Sequence, residues 1–364
     1  MEAERLSAGS PNEAIRLAAD RTAGVFCISG GAADSGVFDD GTGGGFDEAG
    51  ISRPCAPGII SVVTFCTFTE YNTPAGFNYT IAHLYSFSYN DIMKIVRAVM
   101  IGDVIGEPGL DTLEKMLPAL IQDNAVDFTV VNGENAADGF GMTKAALQRI
   151  LACGVDAVTS GNHVWEKRDF WDTLEHDDKV LRPANYPDNL PGRGWLRVEK
   201  GGSSWIIINL QGRELMTAID CPFRCFDHTL EKIANTASAD HNPADSSLLP
   251  VILVDFHAES SREKEALAYY IDGRCALAAG THTHVITADE RILPGGTAYI
   301  TDLGMTGITG SVIGMDPKIC MDRARKQVLY RMEPAADSGS SAKMQGIIAE
   351  IDAGTGKAVS VRRI

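Results

Sequence analysis

Residues 93–110 read Met93-Lys94-Ile95-Val96-Arg97-Ala98-Val99-Met100-Ile101-Gly102-Asp103-Val104-Ile105-Gly106-Glu107-Pro108-Gly109-Leu110. The run Ile95 to Val104 is mostly apolar and predicts a buried strand, and Leu110 to Gln122 then carries apolar residues at helical spacing. The alternation continues with a strand at Phe128 to Asn132, a helix at Thr143 to Ala152, a strand at Ala157 to Ser160 and a helical stretch near Asp169 to Leu174. Further strands are predicted at Trp205 to Leu210, Val251 to Phe256, Ala276 to Ala279 and Ala298 to Thr301, with a helix at Arg262 to Ile271. A closing hairpin follows, from Gly346 to Asp352 and Ala358 to Val361, around Gly354-Thr355-Gly356. Strands alternating with helices in this way predict a layered α/β fold. The polar stretch between Cys221 and Leu248 reads as an insertion or surface loop.

Before residue 93 the chain has another character. Its first 92 residues contain four arginines, no lysine, eleven acidic residues and the cluster Gly41-Thr42-Gly43-Gly44-Gly45. Ile59 to Thr69 is strand-like but flanked by Pro, Gly and Ser, and no matching partner strand is evident. Poor order is expected across 1–92, with no part in catalysis, and Met93 reads as the start of the functional chain. The competing reading is a short regulatory or oligomerisation domain.

With 364 residues the chain can form two average domains or one large one. A hydrophobic content of 45% with 22% charged residues excludes disorder of the whole chain. The net charge of -16 argues against a broad basic surface for gripping a long nucleic-acid backbone. A small phosphate ester is still accommodated where metal cations and a few arginines reverse the field locally. The eight cysteines are scattered and include no CxxC pair, so they read as reduced thiols. Cys221 and Cys225, without a second pair, make a poor zinc site and are read as structural. Met1 to Asp20 lacks a basic start and an apolar core, so no secretory leader is predicted, and Gly58 to Thr69 is too short to span a bilayer. A cytoplasmic protein without a membrane partner is expected. Whether identical chains assemble is left open.

Five short blocks place metal-capable side chains directly after apolar strands. They are Gly102-Asp103, Asn132-Gly133-Glu134-Asn135, Gly161-Asn162-His163, Asp255-Phe256-His257-Ala258-Glu259 and Gly280-Thr281-His282-Thr283-His284. Ligands in open α/β sheets bind beyond the carboxyl ends of the strands, so side chains distant in sequence can converge there. Carboxylates, imidazoles and an amide oxygen suit a pair of first-row ions, with Glu134 suited to bridge them. Taken singly each block has a plain structural reading. Asp103 and Asn162 serve as turn or capping residues, His257 as a hydrogen-bonded core imidazole, and Thr-His-Thr-His as a solvated strand. The combination is far more specific than any member. Gly304-Met305-Thr306-Gly307 either presents backbone N–H groups to a phosphate or forms a simple turn.

The blocks Gly161-Asn162-His163 and Gly280-Thr281-His282-Thr283-His284 resemble the calcineurin-like metallophosphoesterases. Within that superfamily, residues 101–109, Asn132-Gly133-Glu134-Asn135 and Leu181-Arg182-Pro183-Ala184-Asn185-Tyr186-Pro187 resemble the YmdB-like bacterial phosphodiesterases, over residues 93–364. The narrower likeness rests on two departures from the general pattern: Ile105 stands where the first block usually has histidine, and Glu134 where the bridging residue is usually aspartate. The resemblance implies a four-layer αββα sandwich and a dinuclear centre of divalent or mixed-valence ions, iron or manganese first and zinc as the alternative. One ion would take Asp103, Glu134 and His284, with Asn135 as a further candidate, and the other Glu134, Asn162, His257 and His282. It also implies that His163 protonates the leaving group, that Arg182 and Asn185 line the substrate pocket unless they belong to a surface loop, and that 2′,3′-cyclic nucleotides are substrates, extended to RNA ends. The residues themselves specify only a phosphate ester attacked in line by a metal-activated water. Two other classes are a non-catalytic nucleotide-binding regulator, suggested by the missing histidine, and a metal-dependent amide hydrolase.

Overall fold

The computed structural model describes residues 63–72, 78–87, 94–240, 249–336 and 342–364. The chain divides into two compact units, Met1–Met93 and Lys94–Ile364. In the first, β1 (Val63–Asn72) and β2 (Asn78–Phe87) pair antiparallel from Val63 opposite Phe87 to Asn72 opposite Asn78. The strand-like piece therefore has a partner, contrary to the sequence reading. That partner is a second run rich in aromatic and β-branched residues, the composition that suits a paired strand. Apart from this hairpin, the expectation of poor order in 1–92 falls outside the described residues.

The second unit is built on two sheets. In one, β3 (Ile95–Ile101), β5 (Phe128–Asn132) and β6 (Ala157–Thr159) run parallel, and β15 (Gly346–Asp352) and β16 (Lys357–Arg363) complete the order β16-β15-β3-β5-β6. The other has the order β11-β12-β10-β9-β8-β7, with β8 (Ser203–Gln211), β9 (Val251–His257), β10 (Leu277–Thr281) and β12 (Ala298–Ile300) parallel. Its antiparallel edges are β7 (Trp195–Lys200) and β11 (Arg291–Ile292).

The central strands are apolar on both faces, as strands covered on both sides must be. Val96, Ala98, Met100, Phe128 and Val130 share a core with Trp205, Ile207, Leu253 and Leu277 of the opposite sheet. Phe128 stacks on Trp205 across that core at 4.7 Å. The alternate residues Val99, Ile101 and Val131 face outward, where they meet Leu110, Leu113 and Leu117 of α1 (Gly106–Asp123) and Leu147 and Ile150 of α2 (Lys144–Ala152). On the other side Ile206, Ile208 and Val254 meet Phe226 and Ile233 of α4 (Pro222–Asp240) and Leu267 and Ile271 of α5 (Ser261–Ile271). Helix, sheet, sheet, helix: the four-layer αββα sandwich is the fold. The short α3 (Trp171–His176) follows β6, and α6 (Pro317–Lys326) buries none of its residues.

Two local expectations are corrected. The stretch after Cys221 is α4, with Pro222 at its first position and an apolar stripe of Phe226, Leu230 and Ile233; residues 241–248 lie outside the described residues. Gly304-Met305-Thr306-Gly307 is neither a turn nor a phosphate cradle. Met305–Ile308 forms β13, parallel to β4 (Asp103–Val104) and antiparallel to β14 (Ala342–Lys343). The Met305 N–H is taken by Gln345 Oε1 at 3.0 Å.

Candidate metal centre

Each predicted ligand stands at or just past the carboxyl end of a parallel strand: Asp103 after β3, Glu134 after β5, Asn162 after β6, His257 at the end of β9, and His282 and His284 after β10. The first three belong to one sheet and the rest to the other, so face-to-face packing of the sheets brings the two sets to one end of the sandwich. Asp103, Glu134 and His257 are fully buried, and one ligand atom from each lies within 4.8 Å of the others.

Hydrogen bonds fix which atom His257 and His284 present. His257 Nδ1 is 3.0 Å from Thr281 Oγ1, whose own proton goes to Asp255 Oδ1 at 2.7 Å. Nδ1 is therefore the donor, and Nε2 carries the lone pair. His282 Nε2 lies 3.1 Å from Glu259 Oε2, and its Nδ1 is hydrogen-bonded to His257 Nε2 at 2.9 Å. Asn162 Oδ1, another lone-pair atom, is 3.2 Å from the same His257 Nε2. Glu134 Oε2 approaches Nε2 to 2.6 Å yet has no hydrogen-bond partner. Lone pairs crowded together in this way repel unless a cation lies among them. Protonation is a poor substitute, because burial depresses both His257 and His282 to about 3. The donor set fits a metal ion.

On the Asp103 side, His284 donates Nδ1–H to the Ile313 carbonyl at 2.8 Å and turns Nε2 toward Asp103 Oδ1, 3.7 Å away. Asn135 directs its amide nitrogen to both, 3.3 Å from Asp103 Oδ1 and 3.1 Å from His284 Nε2. Asp103 Oδ2 accepts the His282 N–H at 3.1 Å. Burial pushes the Asp103 and Glu134 carboxyls up, against the pull of the neighbouring imidazoles. A cation would reverse that pressure. Ile105 is buried and lies against Gly314.

His163 stands at the rim. Its backbone N–H donates to Glu134 Oε1 at 2.6 Å, while its ring lies edge-on to Phe140 at 4.9 Å and 3.5 Å from Glu166 Oε1. Arg182 and Asn185 have their polar groups engaged by backbone. The Arg182 guanidinium donates to the carbonyls of Pro183, Pro187 and Pro191, and Asn185 bridges the backbones of Gln211 and Asp220. Both line a cavity of about 760 Å³, with Tyr186, Cys221 and Arg224, whose lining includes none of the proposed ligands.

The sequence reading assigned no role to the groups behind the ligands. Asp255 accepts from Thr159, Thr281 and Asn132 and orients His257 through Thr281. Two residues before His257 on a strand, Asp255 shares its face, a period-two signal that was available. Gly161 also went unread: a Cβ there would meet His257 Cδ2 at 2.1 Å and Glu134 Oε2 at 2.2 Å.

A profile of the YmdB-like protein family matches residues 99–364. The chain belongs to the YmdB-like family. A relative from Bacillus subtilis (strain 168), 2′,3′-cyclic-nucleotide 2′-phosphodiesterase, is 40% identical over 269 residues, which cover 74% of this chain and 96% of that protein. Among solved structures, a novel phosphatase from Mycoplasma pneumoniae is 30% identical with a TM-score of 0.66, covering 75% of this chain and 94% of its own. A hypothetical protein from Thermus thermophilus is 36% identical with a TM-score of 0.65, covering 74% and 98%. The YmdB-like match spans all five ligand blocks and leaves out the first unit.

Proposed function

We propose that this chain is a dinuclear metal-dependent phosphodiesterase that hydrolyses 2′,3′-cyclic nucleotides or related small phosphodiesters in the cytoplasm, with RNA ends as a wider substrate class. The observation that carries the reading is the convergence of Asp103, Glu134 and His257 on one buried point, where Glu134 Oε2 has no hydrogen-bond partner. The substrate class is supported by the Bacillus subtilis relative's activity and the length of the match to it. Among the described residues no helix is long and apolar enough to cross a membrane.

In this reading Asp103, Glu134 and His284 hold one ion and Glu134, Asn162, His257 and His282 the other, iron or manganese before zinc. Asn135 steadies the first group through its amide nitrogen or, turned over, adds its oxygen. When bound, two such ions lower the pKa of a water and offset charge building on a transferring phosphoryl group. The protein's own part is to hold the ligands dry and prearranged, and to place the His163 imidazole at the rim, where it protonates the departing ribose oxygen. Arg182 and Asn185 act on the substrate indirectly, by shaping the loop that carries Tyr186.

Metal analysis of protein purified without chelator, paired with turnover of 2′,3′- and 3′,5′-cyclic nucleotides, tests the reading. Two ions per chain and hydrolysis of the 2′,3′-cyclic series are expected. Protein without metal would refute it, and full metal occupancy with no turnover would favour the non-catalytic regulator.

A further inference from the structure

A second buried ionic group lies behind the loop that carries His282 and His284. The side chains of Lys264, on α5, and Asp302, just past β12, are each 1% exposed, with Nζ donating to Oδ2 at 2.6 Å. Asp302 Oδ2 also accepts the Thr283 N–H at 3.2 Å, and Oδ1 accepts the Gly304 N–H at 2.9 Å. The Gly304 carbonyl in turn accepts the Asp103 N–H at 3.2 Å. One carboxylate thus anchors both the Asp103 loop and the residue between the two histidines. Asp302 is itself held, its N–H donating to Thr287 Oγ1 at 2.9 Å and its carbonyl accepting the Thr287 N–H at 3.1 Å.

The loop needs such an anchor. His282 and His284 have φ of 99° and 63°, a region that side-chain-bearing residues adopt only where their surroundings force it. Thr283 lies between them, so its N–H is the natural point at which to pin the bend. Close packing adds to the constraint, since a Cβ on Gly280 would meet the Thr301 carbonyl oxygen at 1.9 Å and Lys264 Cδ at 2.8 Å. Stability alone does not account for the pair. Two charges taken out of water gain little over a well-packed apolar pair, and a recurrent use of such pairs is to specify one geometry.

We infer that Asp302, held by Lys264, is a positioning residue for the metal centre, fixing Asp103 and His284 relative to each other and so setting the affinity of the ion they share. This inference rests on the two-ion reading above. Its test is a calorimetric metal titration of metal-free wild type, Asp302→Asn and the double variant Lys264→Met/Asp302→Asn, with the melting temperature of each metal-free protein recorded alongside. Asp302→Asn should weaken metal binding by about 10- to 100-fold, the range typical of lost outer-shell support. The double variant removes the unpaired ammonium, so it should recover melting temperature without recovering the lost affinity, and it serves where the single variant does not fold. Wild-type binding of two ions with unchanged affinities in a folded variant overturns the inference alone, as does an affinity that returns together with the melting temperature. Wild type that binds no ion overturns the reading of the centre and this inference with it.

Discussion

His163 is adjacent to the proposed ligand Asn162; its ring lies beside Phe140 and Glu166, and its backbone N–H donates to Glu134 Oε1. His163→Ala should therefore reduce kcat by about 100- to 10,000-fold, the usual contribution of a general acid. Metal stoichiometry should not change; loss of an ion would place the side chain among the ligands instead. The buried acids lead to a pH prediction. Burial raises Asp103 and Glu134, and brings Asp255 to about 7. A carboxyl raised on folding contributes stability below its unfolded value, and that contribution is lost as pH rises through the folded value, a window from about 4 to about 7 for Asp255. The depressed His257 and His282 act in the opposite sense, losing stability as pH falls from about 6.5 toward 3. A bound cation relieves the ionised carboxylates and competes with protons for Asp103 and Glu134, so metal binding is favoured at higher pH. The rise in melting temperature on adding manganese should be larger at about pH 7.5 than at about pH 5.5. A rise that shrinks across that interval would contradict the assignment.

Strand ends and the tight turns after them set the site at the scale of elements. Gly161, between β6 and Asn162, passes so close to His257 and Glu134 that a methyl group has no room beside either. Gly161→Ala should displace both side chains, giving a folded protein that loses metal and at least about 100-fold in activity; circular dichroism and metal analysis separate this from unfolding. A variant with full metal content would show that the turn relaxes. The α1 helix starts at Gly106, ahead of the predicted Leu110, because Pro108 is tolerated in a first turn, where its missing N–H has no intrahelical partner. The start of α2 follows Thr143, whose hydroxyl accepts the Ala146 N–H at 3.2 Å, and α5 follows Ser260, which caps Glu263 in the same way. The α4 helix was legible too, in Pro222 and the stripe Phe226, Leu230, Ile233, but its polar residues outweighed that stripe in the sequence reading.

For the whole molecule, the Lys94–Ile364 unit contains both sheets, the helical layers and every proposed ligand. The family match begins at residue 99, and the Bacillus subtilis relative aligns over 96% of its own length. A chain beginning at Met93 is therefore proposed to be sufficient. Expressed alone, it should give a soluble protein with the metal content and kcat/KM of the full chain. Failure to fold, or a large loss of activity, would assign the first unit a part in function. The Phe128–Trp205 stack ties the two sheets together, so the site, built from both, depends on their packing.

The sequence by itself determined the elements and the ligand blocks. Strand and helix periodicity is local, and a glycine with a carboxylate, amide or imidazole after an apolar run is visible without knowing where the run goes. From it came the α/β layering, and the αββα sandwich followed from the resemblance carried by those blocks. Only the tertiary structure decided which atoms meet. Glu134 and His257 come from different sheets, and their approach to 2.6 Å depends on how those sheets stack. The nitrogen that His257 and His284 present depends on Thr281 and the Ile313 carbonyl, partners that no spacing rule names. Arg182 and Asn185 show the same limit from the other side. Their residue types suit a phosphate ester, but the fold engages their polar groups with nearby backbone, and a side chain's partners are set by what the packed chain brings within about 3 Å.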